Sequence, residues 1–145
     1  MELTNAQRLK LNAALDTLLP GDEWWPAAGG LGLVDRVLEL AGLDPSHPGM
    51  VAEACLALPA DFHQQGSDAR TAALERLEAG NSALFGVLQL LAYNAYYTDA
   101  RVLDVVESRT GYEARPPQPR GYVLEPFDES LLEKVRTRAP FWRRV

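Results

Sequence analysis

Cysteine is nearly absent from this 145-residue chain. Cys55 stands alone, which excludes an internal disulfide, a CxxC redox or zinc pair, an iron–sulfur cluster and a CxxCH haem attachment. Histidine is almost as scarce: His47 and His63 are the 2 present, and they lack the HExxH spacing of a helical zinc site. Net positive charge is missing as well. The 14 Lys and Arg against 20 Asp and Glu give −6, so the chain as a whole repels a phosphate backbone and no nucleic-acid partner is expected. No apolar run reaches the roughly 20 residues that a bilayer-spanning helix needs, so no membrane insertion is expected. The opening residues MELTNAQRLKLN contain neither a basic start before an apolar stretch nor a twin arginine. A cytoplasmic location is the expectation, or a periplasmic one if a signal was removed or is supplied by a partner.

What is present is ordinary for one folded domain, with 47% hydrophobic and 23% charged residues. Prolines crowd between Pro20 and Pro48 and again between Pro116 and Pro140, and none lies from residue 60 to 115. Helix caps and 3.6-residue periodicity follow one another through the body. Thr4 and Gln7 have capping-box spacing ahead of Leu11, Ala14, Leu15, Leu18 and Leu19, and Pro20 and Gly21 stop that helix. A second apolar face runs from Leu33 to Ala41. Pro48 opens a third helix with Val51, Ala54, Cys55 and Leu58 inward. Ser67 or Asp68 caps a fourth, Asn81 or Ser82 a fifth with Leu84, Leu88, Leu91, Ala92 and Ala95 inward, and Asp99 a sixth that ends near Gly111. The stretch YEARPPQPRGYVLEP has no period and four prolines, so it is expected to run extended. Asp128 then caps a last helix with acidic residues first and Lys134, Arg136 and Arg138 last, the order favoured by the helix dipole. The expectation is an all-α chain, a single compact bundle of six or seven helices with an extended proline-rich C-terminal arm: residues 1–111 are the helical body, and 112–145 are the arm and a C-terminal helix, either part of the same domain or wrapped on a partner.

Charge divides along the same line. Residues 1–100 sum to −8 and residues 101–145 to +2. Chemistry-bearing motifs are near misses. GGLG at residues 29–32 has no preceding strand and no GKS/T after it. His47 and His63, with Asp44 or Asp61 nearby, read as solvated loop histidines; Cys55 reads as a buried inert thiol, and Asp22 and Glu23 as a solvated loop pair. No catalytic, cofactor-binding or metal-ligating residue is assigned. Aromatics are more informative. Neighbouring Trp24 and Trp25 sit in a Pro/Gly-rich loop where their side chains diverge, so one can enter the core while the other stays open to a partner. Tyr93, Tyr96 and Tyr97 read as a core cluster. Tyr122, Phe127, Phe141 and Trp142 exceed what a short tail helix can hide, and with Arg115 and Arg120 they mark the segment from Tyr112 onward as a partner-binding arm.

The segment ALDTLLPGDEWWPAAGGLGLVDRVLEL resembles the N-terminal signature of the gluconate 2-dehydrogenase subunit 3 family: a helix ending in LLP, an acidic loop, a small-residue stretch, then VDRVL. LLAYNAYYTDARVL and PPQPRGYVLEPFD are similar to members found beside glucose-methanol-choline type flavin oxidoreductases. The resemblance implies a helical, noncatalytic small subunit without a redox centre, associated with a large flavoprotein subunit that carries FAD and oxidises a sugar or related alcohol. One departure is the missing twin-arginine signal that many members carry. Competing expectations are a free-standing helical ligand-binding or regulatory module and a small metal-dependent enzyme built on His47 and His63.

Overall fold

The computed structural model describes residues 2–113 and 125–138 of the chain. Among them are eight α-helical segments: α1 (Asn5–Leu18), α2 (Ala28–Leu31), α3 (Val34–Ala41), α4 (His47–Ala57), α5 (Ser67–Gly80), α6 (Ser82–Tyr97), α7 (Ala100–Thr110) and α8 (Glu133–Arg136). Single 3₁₀ turns lie at Phe62–Gln64 and Glu129–Leu132, and no described residue is in a strand. The chain is all-α, as expected. The helix count exceeds six or seven because a one-turn helix, α2, forms inside a loop whose sequence has no helical period. Contacts divide the chain into two units, Met1–Ala114 and Arg115–Val145, whereas the boundary expected from sequence falls where α7 stops at Gly111. No helix is long and apolar enough to cross a membrane among the described residues.

The caps in the first unit follow local chemistry. Thr4 and Gln7 form the reciprocal box: Gln7 N donates to Thr4 Oγ1 at 3.3 Å and Thr4 N to Gln7 Oε1 at 2.9 Å. Asn81 serves two helices at once. Its backbone N–H donates to Leu77 O at 2.7 Å and closes α5, while its side chain accepts from Leu84 N at 3.2 Å and opens α6. Asp99 caps α7, and the following Arg101 reaches from that cap to Leu31 O at 2.8 Å, tying α7 to the end of α2. Gly111, at φ +68°, supplies the left-handed residue that ends α7. The α5 cap differs from expectation: Gly66 takes the N-cap position and Ser67 is already helical.

The core gathers around α6, which carries no charged residue and packs against α1, α3, α4, α5 and α7. Leu84, Leu88, Leu91, Ala92, Ala95 and Tyr96 are its buried face, met by Val37 and Ala41 of α3, Val51, Ala54 and Cys55 of α4, and Ala73, Leu74 and Leu77 of α5. Phe62, on its 3₁₀ turn, is the largest fully buried side chain among the described residues. Cys55 is buried as expected, and desolvation pushes its thiol up to about 11 despite the nearby Lys10 charge. At neutral pH it is a protonated core thiol rather than a nucleophile.

One contact repairs a defect that the sequence builds in. The carbonyl of Cys55 would accept a helical hydrogen bond from residue 59, but that residue is Pro59, which has no N–H. Lys10 of α1 supplies the missing donor: its Nζ donates to Cys55 O at 3.1 Å and to Leu58 O at 2.9 Å. A cation at a helix C-terminus also meets the negative end of the dipole.

In the second unit, Asp128 accepts from Ser130 N at 3.0 Å, and Arg136 pairs with Glu129 at 2.8 Å. The expected final helix is here a 3₁₀ turn followed by the single turn α8. Asp128 as the cap, the acidic start and Lys134 and Arg136 in the last turn are those read from the sequence, whereas Arg138 lies past the end of α8.

Replacing Lys10 with Met keeps the aliphatic stem but removes the donor. We expect a loss of about 1.5–3 kcal/mol, the range for a hydrogen bond to a charged group, seen as a lower urea midpoint with an unchanged denaturant slope.

Candidate functional site

The loop between α1 and α2 is held rigidly by one carboxylate. Gly21, at φ +73°, makes the turn, and a Cβ there would sit 2.5 Å from Ala27 N, so only glycine fits. Asp22 Oδ1 then accepts from Trp24 N at 2.7 Å and Trp25 N at 2.9 Å, while Asp22 N donates to Trp25 O at 3.0 Å. The backbone hydrogen bonds of Trp25 and Trp24 hold this carboxyl below its ordinary range, with the Arg109 guanidinium adding to the effect. The tight turn sends the two indoles apart. Trp25 is half-buried against the core cluster, and Trp24 stays 55% exposed. Over its ring lies Arg109 of α7, with the guanidinium carbon 3.3 Å from the ring centroid.

The end of α6 forms the rest of this face. Tyr96 is buried and its hydroxyl donates to Pro26 O at 2.8 Å, locking the loop onto α6. Burial raises the Tyr96 pKa above the ordinary phenol value. Tyr97 meets Tyr96 edge-on at 5.1 Å, and Tyr93 meets Tyr97 at 6.3 Å. Leu18, Leu19, Trp25, Tyr96 and Tyr97 line a shallow concavity of about 220 Å³. The tyrosine trio is therefore not a core cluster throughout. Only Tyr96 is buried; Tyr93 and Tyr97 are 41% and 51% exposed, because they lie with Leu90 and Asn94 on the side of α6 that faces away from the buried stripe of Leu88, Leu91, Ala92 and Ala95.

Of the residues singled out in the sequence, the fold joins Trp24 and Trp25 to a face completed by Arg109 and Tyr97. Phe127 is exposed in the second unit. Arg115, Arg120, Tyr122, Phe141 and Trp142 lie outside the described residues. Arg109 has no signal in the sequence that could have found it: nothing local relates a residue in the last turn of α7 to a loop after α1. The glycine cluster builds α2 instead of a phosphate loop. A Cβ on Gly29 would meet Asp16 Oδ1 at 2.6 Å, so this glycine seats α2 on a carboxylate that would repel a phosphate.

His47 opens α4 beside Asp44, whose carboxyl is held low mainly by the Ser46 hydroxyl and then by the Ser46 N–H. His63 lies on a separate turn near Asp16 and Arg70. No group of three His, Cys, Asp or Glu side chains placed to hold a metal occurs among the described residues. The aromatic face offers recognition chemistry: a rigid indole, a stacked cation and a tyrosine edge. Comparison of the chain with protein-family models, with curated proteins and with solved structures found no match.

Because the Asp22 carboxyl is lowered on folding, its contribution is present above the ordinary value of 3.8 and is lost as pH falls through the lower folded value. In a Trp142→Phe background, tryptophan emission should stay constant from neutral pH down to about 4 and shift only below the ordinary carboxyl range. Asp22→Ala should show the shifted emission already at neutral pH.

Proposed function

We propose that this chain is a noncatalytic small subunit that binds and stabilises a large FAD-dependent sugar or alcohol dehydrogenase subunit. The flavin belongs to the partner, and this chain contributes recognition. The observation that carries the proposal is the exposed Trp24, fixed by Asp22 and stacked by Arg109. Trp and Arg are enriched among residues that dominate binding energy, and a side chain already ordered in the free protein loses less entropy on docking. The resemblance of the LLP–acidic loop–VDRVL segment to small subunits of such complexes supports the identity of the partner. The same segment contains the loop that presents Trp24. Phe127, and with it Arg115, Arg120, Tyr122, Phe141 and Trp142, forms the second contact region.

Co-expression with a large glucose-methanol-choline type flavoprotein subunit from the same source tests this. The two chains should co-purify as a yellow complex, with the flavin absorbance following the large chain when they are separated. Trp24→Ala should weaken association by about 2 kcal/mol or more, roughly thirtyfold, and Arg109→Ala by less. Unchanged affinity in Trp24→Ala would move the interface elsewhere, and absence of a complex with the wild-type chain would remove the proposed role.

A further inference from the structure

The side of α6 that faces away from the core carries Ala83, Gly86, Leu90, Tyr93 and Tyr97, all of them exposed. Steps of three, four, three and four separate them, the spacing of the a and d positions of a heptad, so they line one seam along the helix. Leu90 is 50% exposed although nothing polar accompanies it on this line but the tyrosine hydroxyls. Gly86 is the odd member. A glycine inside a helix costs about 1 kcal/mol relative to alanine. A Cβ there would meet nothing within 4 Å, so no neighbouring atom of its own fold requires the glycine. A helical glycine without an internal reason marks a place where something bulky approaches from outside.

The seam widens in one direction, from Ala83 and Gly86 through Leu90 to the two tyrosines. Parallel copies would set ring on ring at one end and leave a gap at the other. Antiparallel copies match. An a residue then lies beside a d residue of the opposite helix, which puts Gly86 against the second copy's Tyr97 and Leu90 against its Tyr93. A two-fold axis repeats both contacts, as an isologous interface requires. Charge points the same way. Residues 1–100 sum to −8, so two copies repel over most of their surface, and α6, with no charged residue, is the strip where that repulsion is least. We propose that α6 is a homodimerisation helix, its outer seam paired antiparallel with the same seam of a second copy. The seam is about 21 Å long. Its three large side chains fall short of the about 800 Å² that a standard interface buries on each partner, so the dimer is a reversible one that dissociates in the micromolar range. This inference stands apart from the docking role, since Trp24 and Arg109 lie off α6.

Sedimentation equilibrium of the full-length chain, with no flavoprotein present, tests this. The mass should rise from the 16.0 kDa of one chain toward twice that value between about 1 µM and about 1 mM protein. Because the copies carry like charge, raising NaCl from about 50 to about 500 mM should tighten the dimer, whereas a contact made through opposite charges would loosen. Leu90→Glu, which brings carboxylates into the seam, should raise the dissociation constant about tenfold or more. Gly86→Tyr should do the same by setting ring against ring. Gly86→Tyr combined with Tyr97→Ala only exchanges large and small across the two-fold axis, and should restore the affinity to within about threefold. All these positions are exposed, so helical circular dichroism should be unchanged in each variant. A monomer at every concentration would overturn the proposal, as would a dimer loosened by salt, one indifferent to Leu90→Glu, or one that the paired exchange fails to restore.

Discussion

The burial of α6 is the constraint on which the rest of the first unit depends. A helix without a charged residue over its length can leave water only if every neighbour turns an apolar face toward it, and α3, α4 and α5 do so with Val37, Val51, Ala54, Leu74 and Leu77. The neighbours are then fixed in turn: Lys10 clamps α1 to the end of α4, and Arg101 clamps α7 to α2. The packing covers one side of α6 only, and its open side carries Leu90, Tyr93 and Tyr97. Tyr96 is claimed by the Trp loop through Pro26, whereas Tyr93 and Tyr97 remain exposed. The aromatic face thus forms where the open side of a very apolar helix meets the Trp loop.

How much of this is legible in the sequence depends on the range of the interaction. Caps act within three or four residues, so Thr4, Asn81, Asp99 and Asp128 are legible, as are the inward positions Val51, Ala54, Cys55 and Leu58. Phe62 escapes notice because a three-residue 3₁₀ turn has no period to detect, and α2 because one turn of small residues resembles a loop. The tyrosine trio fails differently. Spacing of i, i+3 and i+4 places side chains on one broad face, but the inward stripe of Leu84, Leu88, Leu91, Ala92 and Ala95 takes in only Tyr96 and leaves Tyr93 and Tyr97 beyond its edge. The divergence of Trp24 and Trp25 is legible from their adjacency in a tight loop; the cation over Trp24 requires the tertiary fold.

The two surface features differ in how their polar groups are settled. At the Trp loop, Asp22 accepts two backbone hydrogen bonds and the Tyr96 hydroxyl has its carbonyl, so the polar atoms that shape this face are satisfied before any partner arrives. Docking there relies on apolar and cation–π contact over a prepared shape. Beside Asp16 the case is the opposite: Arg70 Nε and His63 Nδ1 are buried without a hydrogen-bond partner among the described residues. Neither feature needs a reactive side chain. The one thiol is buried beneath Lys10 with its pKa raised by desolvation.

Asn81 gives the α5–α6 corner a kinetic meaning. A single residue ends one helix and begins the next, so the long faces of these helices meet across a very short chain separation. Closing so small a loop costs little chain entropy, and local contacts of this kind are the ones that let helical proteins fold quickly. The corner also leaves no slack. A slip of α5 along α6 would have to break either the bond to Leu77 or the bond to Leu84, so Asn81 fixes the register of the pair as well as its ends.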